Sequence, residues 1–218
     1  MGQAIMRAID ATDDLQISGV WSKGESIDKI VAASDVIIDF SLPGATATVL
    51  EAVSNHQTPL VCGVSGLDEA LLKAVEQAAT VIPLVYDRNM SQGIAVLDDL
   101  VRRAAGSLGA DFAAEVHETH HIHKVDSPSG TALQLGESIA VARPQESGED
   151  EVRYQVERRG EVPGDHTVIF SSATESLTLG HSVTTRQVFA DGALRAARWV
   201  VGRPPGLYRM RNVLFDGR

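Results

Sequence analysis

The densest concentration of chemically able side chains in this sequence runs from His117 to Ala132, as His-Glu-Thr-His-His-Ile-His-Lys-Val-Asp-Ser-Pro-Ser-Gly-Thr-Ala. His117, His120, His121 and His123 are four of the chain's seven histidines. Histidine titrates near neutrality and can hand over a proton during turnover. Lys124 offers a carboxylate a fixed positive charge. Ser129, Gly130 and Thr131 follow Pro128 at the start of a helical pattern, where unpaired amides, hydroxyls and the helix dipole favour an anion. Gly130 lets that anion come close to the backbone. Together these residues describe a pocket for a small carboxylate that is protonated as it reacts. Singly, each has a plainer reading as a solvated loop histidine or a helix cap. Their convergence in one short stretch carries the chemical reading.

His117-Glu118-Thr119-His120-His121 also satisfies the H-E-x-x-H zinc pattern, with His117 and His121 as ligands and Glu118 as base. That chemistry needs both histidines on one face of a helix. Phe112–Val116 reads as a strand and Pro128 limits any helical continuation, so no metal site is expected. A zinc hydrolase remains the rival that would bind zinc stoichiometrically.

The elements that position this stretch fall into two halves. Apolar spacing predicts a helix over Gln3–Ala11, a strand over Leu15–Trp21, a short helix over Ile27–Ala33 and a strand over Val36–Phe40, buried on both faces. Then follow a helix over Ala45–Asn55, a strand over Leu60–Val64, a helix over Asp68–Ala79 and a strand over Val81–Tyr86. Strand and helix alternating at this spacing predict a parallel sheet wound with helices. Beyond Ser91–Gly93 the pattern becomes α+β. Helix is predicted over Ile94–Leu108, Ser129–Ala142 and Gly192–Val201, and strand over Phe112–Glu118, Val152–Arg158, His166–Ser171 and Leu177–Thr184, in a mostly antiparallel or mixed sheet. The histidine-rich segment after Glu118 reads as a loop, and Pro144–Asp150 as an acidic loop.

Bulk properties narrow the function classes. The chain has 218 residues and a net charge of −10, which disfavours nucleic acid, whose binding needs a positive surface. No apolar run approaches the ~20 residues of a membrane span. A single cysteine, Cys62, excludes an internal disulfide and, with no signal-peptide plan at the N-terminus, fits a cytoplasmic setting. Cys62 itself reads as a packing residue.

Glu118 to Ala132 resembles the E-x-H-H-x-x-K-x-D-x-P-S-G-T-A signature of the 4-hydroxy-tetrahydrodipicolinate reductases, also called dihydrodipicolinate reductases. The resemblance extends to Val36–Ser41 with Pro43, Cys62-Gly63 with Gly66, and Asn89-Met90-Ser91-Gln92-Gly93. It continues through Arg158, Gly160, Gly164 and His166, then Arg186, Phe189–Ala193 and Gly206–Met210. It implies a Rossmann-type dinucleotide-binding domain over residues 1–91, to which residues 203–218 return, and a substrate-binding and tetramerising domain over 92–202. It implies reduction of a cyclic dicarboxylate by NADPH or NADH, with loss of water. By the same resemblance His120 is the proton donor and Lys124 assists it, while His121, Ser129, Gly130 and Thr131 hold substrate carboxylates. Met1, Gly2, Lys23, Gly63, Val64, Ser65, Arg88, Asn89 and Met90 meet the cofactor.

Three places depart from that pattern. Met1-Gly2 matches only the end of the G-x-x-G-R-M-G turn, so the first strand is missing and Met1 is expected to be an internal methionine of a longer protein. Val20-Trp21-Ser22-Lys23 has Ser22 where an acid would bind the ribose, and Lys23 suits a 2′-phosphate, which predicts a preference for NADPH. Val64-Ser65 and Asp87-Arg88 replace residues common in the family. The first departure leaves a second reading open, a non-catalytic remnant that binds a dicarboxylate or oligomerises without cofactor.

Overall fold

The computed structural model describes residues 1–22, 24–143 and 152–216. In chain order its elements begin α1 (Gly2–Asp10), α2 (Asp28–Ala32), β1 (Ile37–Asp39), α3 (Pro43–His56), β2 (Leu60–Cys62), α4 (Glu69–Ala79), β3 (Pro83–Tyr86) and α5 (Gln92–Leu108). They continue β4 (Ala113–His120), α6 (Gly130–Ala142), β5 (Arg153–Arg158), β6 (Asp165–Ser171), β7 (Ser176–His181), α7 (Gln187–Val200), β8 (Gly206–Tyr208) and α8 (Met210–Phe215). These form two compact units, one of Met1–Gln92 with Gln187–Arg218, the other of Gly93–Arg186. Among the described residues no helix is long and apolar enough to cross a membrane.

The first unit carries a parallel sheet in the order β1-β2-β3-β8. Leu60 pairs with Ile37 on one side and Leu84 on the other, and Leu84 pairs with Leu207. Every residue of β2 and β3 is buried, which is why these strands read as unbroken apolar runs rather than alternating ones. The helices between them start and stop on local signals. Pro43 opens α3, Gln57 ends it in the left-handed conformation at φ 53°, and the Asp68 side chain accepts from the Leu71 amide at 2.8 Å to cap α4. Val49, Val53, Val75 and Ile82 close the core against Leu60 and Leu84.

Three expectations fail here. Leu15–Trp21 forms no strand. A cavity of about 330 Å³ lies between it, α1 and β1, lined by Gly2, Ile5, Ile17, Trp21, Ile38 and Phe40 among others. With that gap on its flank the segment has no ladder to join, and a strand exists only by its ladder. The expectation that β1 is buried on both faces fails for the same reason, since Ile37 and Ile38 are only half-buried. The periodicity also starts the last long helix at Gly192, whereas α7 begins at Gln187. α7 belongs to the first unit because Ala190 and Leu194 pack on Ile5 and Ala8 of α1. The apolar pattern alone did not anticipate β8 or α8.

The second unit has a mixed sheet, β5-β4-β6-β7, in which β4 runs parallel to β5 and antiparallel to β6. Its core joins Ile94, Leu97 and Val101 of α5 to Val116, Leu135, Ile139, Val168 and Phe170. β4 reaches two residues past its expected end, so His120 stands on a strand and not in the loop. Pro144–Asp150, expected as an acidic loop, lies outside the described residues.

Candidate active site

Strand alternation builds the centre of the second unit. Along β4, Ala114, Val116, Glu118 and His120 are buried, while Glu115, His117 and Thr119 point to the opposite, wetter face. The extended strand also dismantles the H-E-x-x-H pattern. At about 3.3 Å per residue, two histidines four apart lie roughly 13 Å from each other, too far to share one ion, whereas a helix would stack them one turn apart. The apolar run on the buried face gives way at its end to a carboxylate and an imidazole, both less than a tenth exposed. A carboxylate so buried costs several kcal/mol unless it is paired.

Glu118 meets that requirement with partners from four elements. Its Oε1 accepts from the Ser129 amide at 3.0 Å and from Arg158 Nη1 at 3.3 Å. Its Oε2 lies 3.2 Å from the same amide, 3.5 Å from His120 Nδ1 and 3.8 Å from His166 Nε2. The His120 and His166 rings meet edge to face with centroids 5.1 Å apart. Ligand atoms of Glu118, His120 and His166 all lie within 4.8 Å of one another. The Arg158 guanidinium already opposes the carboxylate charge, and we read the group as a hydrogen-bonding hub.

The hub reaches the turn that opens α6 through Ser129. That residue is 2% exposed, and its Oγ caps α6 by accepting from the Ala132 amide at 3.1 Å while lying 3.3 Å from His166 Nε2. Its side chain is therefore spent on the fold. Gly130 and Thr131 open α6, at positions whose amides have no intrahelical acceptor. A cis peptide joins Ser127 to Pro128 just before them. Lys124 sits in the preceding loop, paired to Asp126 at 2.7 Å. Arg158 staples that loop by donating to the carbonyls of Lys124 at 3.3 Å and Asp126 at 2.6 Å.

Electrostatics follow from burial and these neighbours. Burial pulls the His120 pKa below the ordinary imidazole value; Glu118 raises it, Lys124 and Arg158 lower it, and Asp126 raises it. Burial, with repulsion from His120, His181 and Lys124, brings His166 down to about 3, so it is neutral at physiological pH. Burial raises Asp126, but the hydrogen bond and charge of Lys124 outweigh it and hold the carboxyl low. In the other unit, burial pushes the Cys62 thiol up to about 12, which makes it a packing residue and not a nucleophile.

The structure brings His120, Lys124, Ser129, Gly130 and Thr131 into one neighbourhood of the second unit. His121 follows the strand, and its ring lies beside that of His123, centroids 6.3 Å apart. Glu118, Arg158 and His166 form the hub, and outside the rival zinc pattern, which cast Glu118 as base, none of them received a role from the sequence. The available signal was alternation from His120 back to Glu118, together with the spacing of Arg158 and His166.

The cofactor residues expected from the sequence lie in the first unit. Gly63, Val64 and Ser65 follow β2, and Arg88, Asn89 and Met90 follow β3, all at the carboxyl ends of parallel strands where nucleotides bind such sheets. Val64 and Met90 are 2% and 1% exposed, which leaves their backbone for contact. A Cβ on Gly63 would meet the Phe40 ring at 2.4 Å, so that glycine serves packing. Met1 caps α1, and a Cβ on Gly2 would meet nothing within 4 Å. This open helix start and the largely apolar cavity beside Trp21 fit the phosphate and adenosine portions of a dinucleotide. Lys23 lies outside the described residues.

Comparison with known proteins agrees with this architecture. Residues 1–90 match the family described as dihydrodipicolinate reductase, N-terminus, and residues 93–214 its C-terminus. The chain is 43% identical to the 4-hydroxy-tetrahydrodipicolinate reductase of Halorhodospira halophila over 88% of this chain and 77% of that one. It is 39% identical to that of Zymomonas mobilis over 98% and 92%. Among solved structures, dipicolinate-bound dihydrodipicolinate reductase from Paenisporosarcina sp. TG-14 shares the fold, with a TM-score of 0.77 at 19% identity over 98% of this chain and 94% of that one. Two matched halves and close relatives along nearly the whole length place the chain in the dihydrodipicolinate reductase family.

Proposed function

We propose that His120 is the proton donor in the family's reaction, the NAD(P)H-dependent reduction of 4-hydroxy-tetrahydrodipicolinate to tetrahydrodipicolinate with loss of water, in lysine and diaminopimelate synthesis. When bound, NAD(P)H supplies the hydride. His120 supplies the proton to the substrate atom that gains electron density. Lys124 and the amides of Gly130 and Thr131 hold the two carboxylates, with His121 at the margin.

The observation that carries this reading is the pairing of a buried imidazole with a carboxylate beside a helix start and a lysine. Burial disfavours the charged form of His120 in the free protein. A dicarboxylate arriving there adds negative charge that favours the imidazolium, so the substrate helps to charge its own acid. Calorimetric titration with dipicolinate in buffers of different ionisation enthalpy tests this. Binding with proton uptake is expected for the wild type, and uptake is lost in His120→Gln. Uptake that persists in His120→Gln would remove His120 from the role.

We also propose a cytoplasmic setting, supported by the lone cysteine and the reliance on NAD(P)H, and a homotetramer, supported by the family resemblance. Light scattering on the eluted protein tests the assembly, and a monomer would refute it.

A further inference from the structure

We infer that Glu118 is a positioning residue of the reaction, holding the His120 imidazole and the Ser129 turn in one frame and placing a fixed negative charge beside the imidazole, while Arg158 holds Glu118 in place. The inference rests on His120 being the proton donor. A side chain only 1% exposed would not carry four polar partners for packing alone. An aliphatic residue at that site would close the core without any desolvation cost. One carboxylate instead ties together the proton donor, the start of α6, Arg158 of β5 and, at longer range, His166 of β6.

The geometry also assigns the ring atoms of His120. Nδ1 faces Glu118 at 3.5 Å, long for a hydrogen bond, as such contacts often are before substrate binds. Nε2 is the nitrogen left to hand over a proton. Gly164 passes beside it at φ +150°, and a Cβ there would lie 2.9 Å from Nε2.

The groups facing His120 are Glu118 of its own strand, Arg158 of β5, neutral His166 of β6, and Lys124 and Asp126 of the loop. Glu118 and Arg158 act on the imidazolium with opposite sign. Because protonated His120 is required, kcat falls as pH rises through its pKa. Glu118→Gln keeps an acceptor for the Ser129 amide but removes the charge. It should move that limb down by roughly one pH unit, with the substrate KM changed less than about threefold. Arg158→Gln should move the limb up. Glu118→Asp, which keeps the charge, should return it towards the wild-type position. A residue that merely supported the fold would not shift the limb in opposite directions with its partner.

The experiment is the pH dependence of kcat for wild type, Glu118→Gln, Glu118→Asp, Arg158→Gln and His120→Gln. If His120→Gln keeps the limb, the proton-donor reading fails. If His120→Gln abolishes it but Glu118→Gln leaves it in place, only the role of Glu118 fails. Should Glu118→Gln not fold, Arg158→Gln decides: a limb at higher pH supports the inference, and one unmoved or lower overturns it.

Discussion

Nδ1 of His120 lies 3.5 Å from Oε2 of Glu118, two residues earlier on the same strand. The pair shares a face because β4 continues through His120, and alternation sends every second side chain to the same side. A helix through the same residues would have placed them on different faces, so the secondary structure decides the chemistry.

Lys124 is 21% exposed and paired with Asp126, a lysine held near the site yet able to turn to an arriving carboxylate. Lys124→Met should raise the substrate KM about tenfold or more and also lower kcat, because the same charge is used in the ground and transition states. Steady-state kinetics measure both, and an unchanged KM would remove the carboxylate contact.

Gly164 holds φ +150°, a conformation L residues avoid, and its open side abuts His120. Gly164→Ala should destabilise the protein by about 1–3 kcal/mol through backbone strain and lower kcat by displacing the ring. Thermal melting with parallel kinetics checks this; a variant with wild-type Tm and kcat would contradict the packing.

His166 titrates at about 3 when folded and near the ordinary histidine value when unfolded. Between those values the unfolded chain binds more protons, so stability falls as pH drops, by up to about one proton's linkage from this residue. Tm should therefore decline from pH 7 to pH 4. The decline should be shallower in His166→Gln, and equal slopes in the two proteins would refute the assignment.

By the family resemblance, Ser22 stands where an acid would favour NADH, and Lys23 follows it in sequence. Lys23→Glu should lower kcat/KM for NADPH about tenfold or more while sparing NADH, by removing a phosphate partner and adding a repelling charge. Equal losses with both cofactors would show that Lys23 does not read the 2′-phosphate.

Much of this was legible in the sequence, and the omissions have physical causes. The buried strands Leu60–Cys62 and Pro83–Tyr86 announced themselves as apolar runs because both faces are covered. Leu15–Trp21 has the composition of a strand, but strand formation depends on a neighbour that local pattern does not reveal. His120 and the Ser129–Thr131 turn lie about ten residues apart in one continuous stretch and stood out as a motif. Arg158 and His166 reach the same site from strands 38 and 46 residues beyond His120 along the chain, a closeness set by sheet pairing rather than by sequence neighbourhood.

The most direct measurement is NADPH consumption by the purified chain with freshly generated 4-hydroxy-tetrahydrodipicolinate, compared between wild type and His120→Gln. The expected result is oxidation that requires the substrate, and a kcat in His120→Gln lower by about a hundredfold or more with KM changed only a few-fold. Oxidation independent of the substrate, none from a folded wild-type chain, or an unchanged kcat in His120→Gln would contradict it.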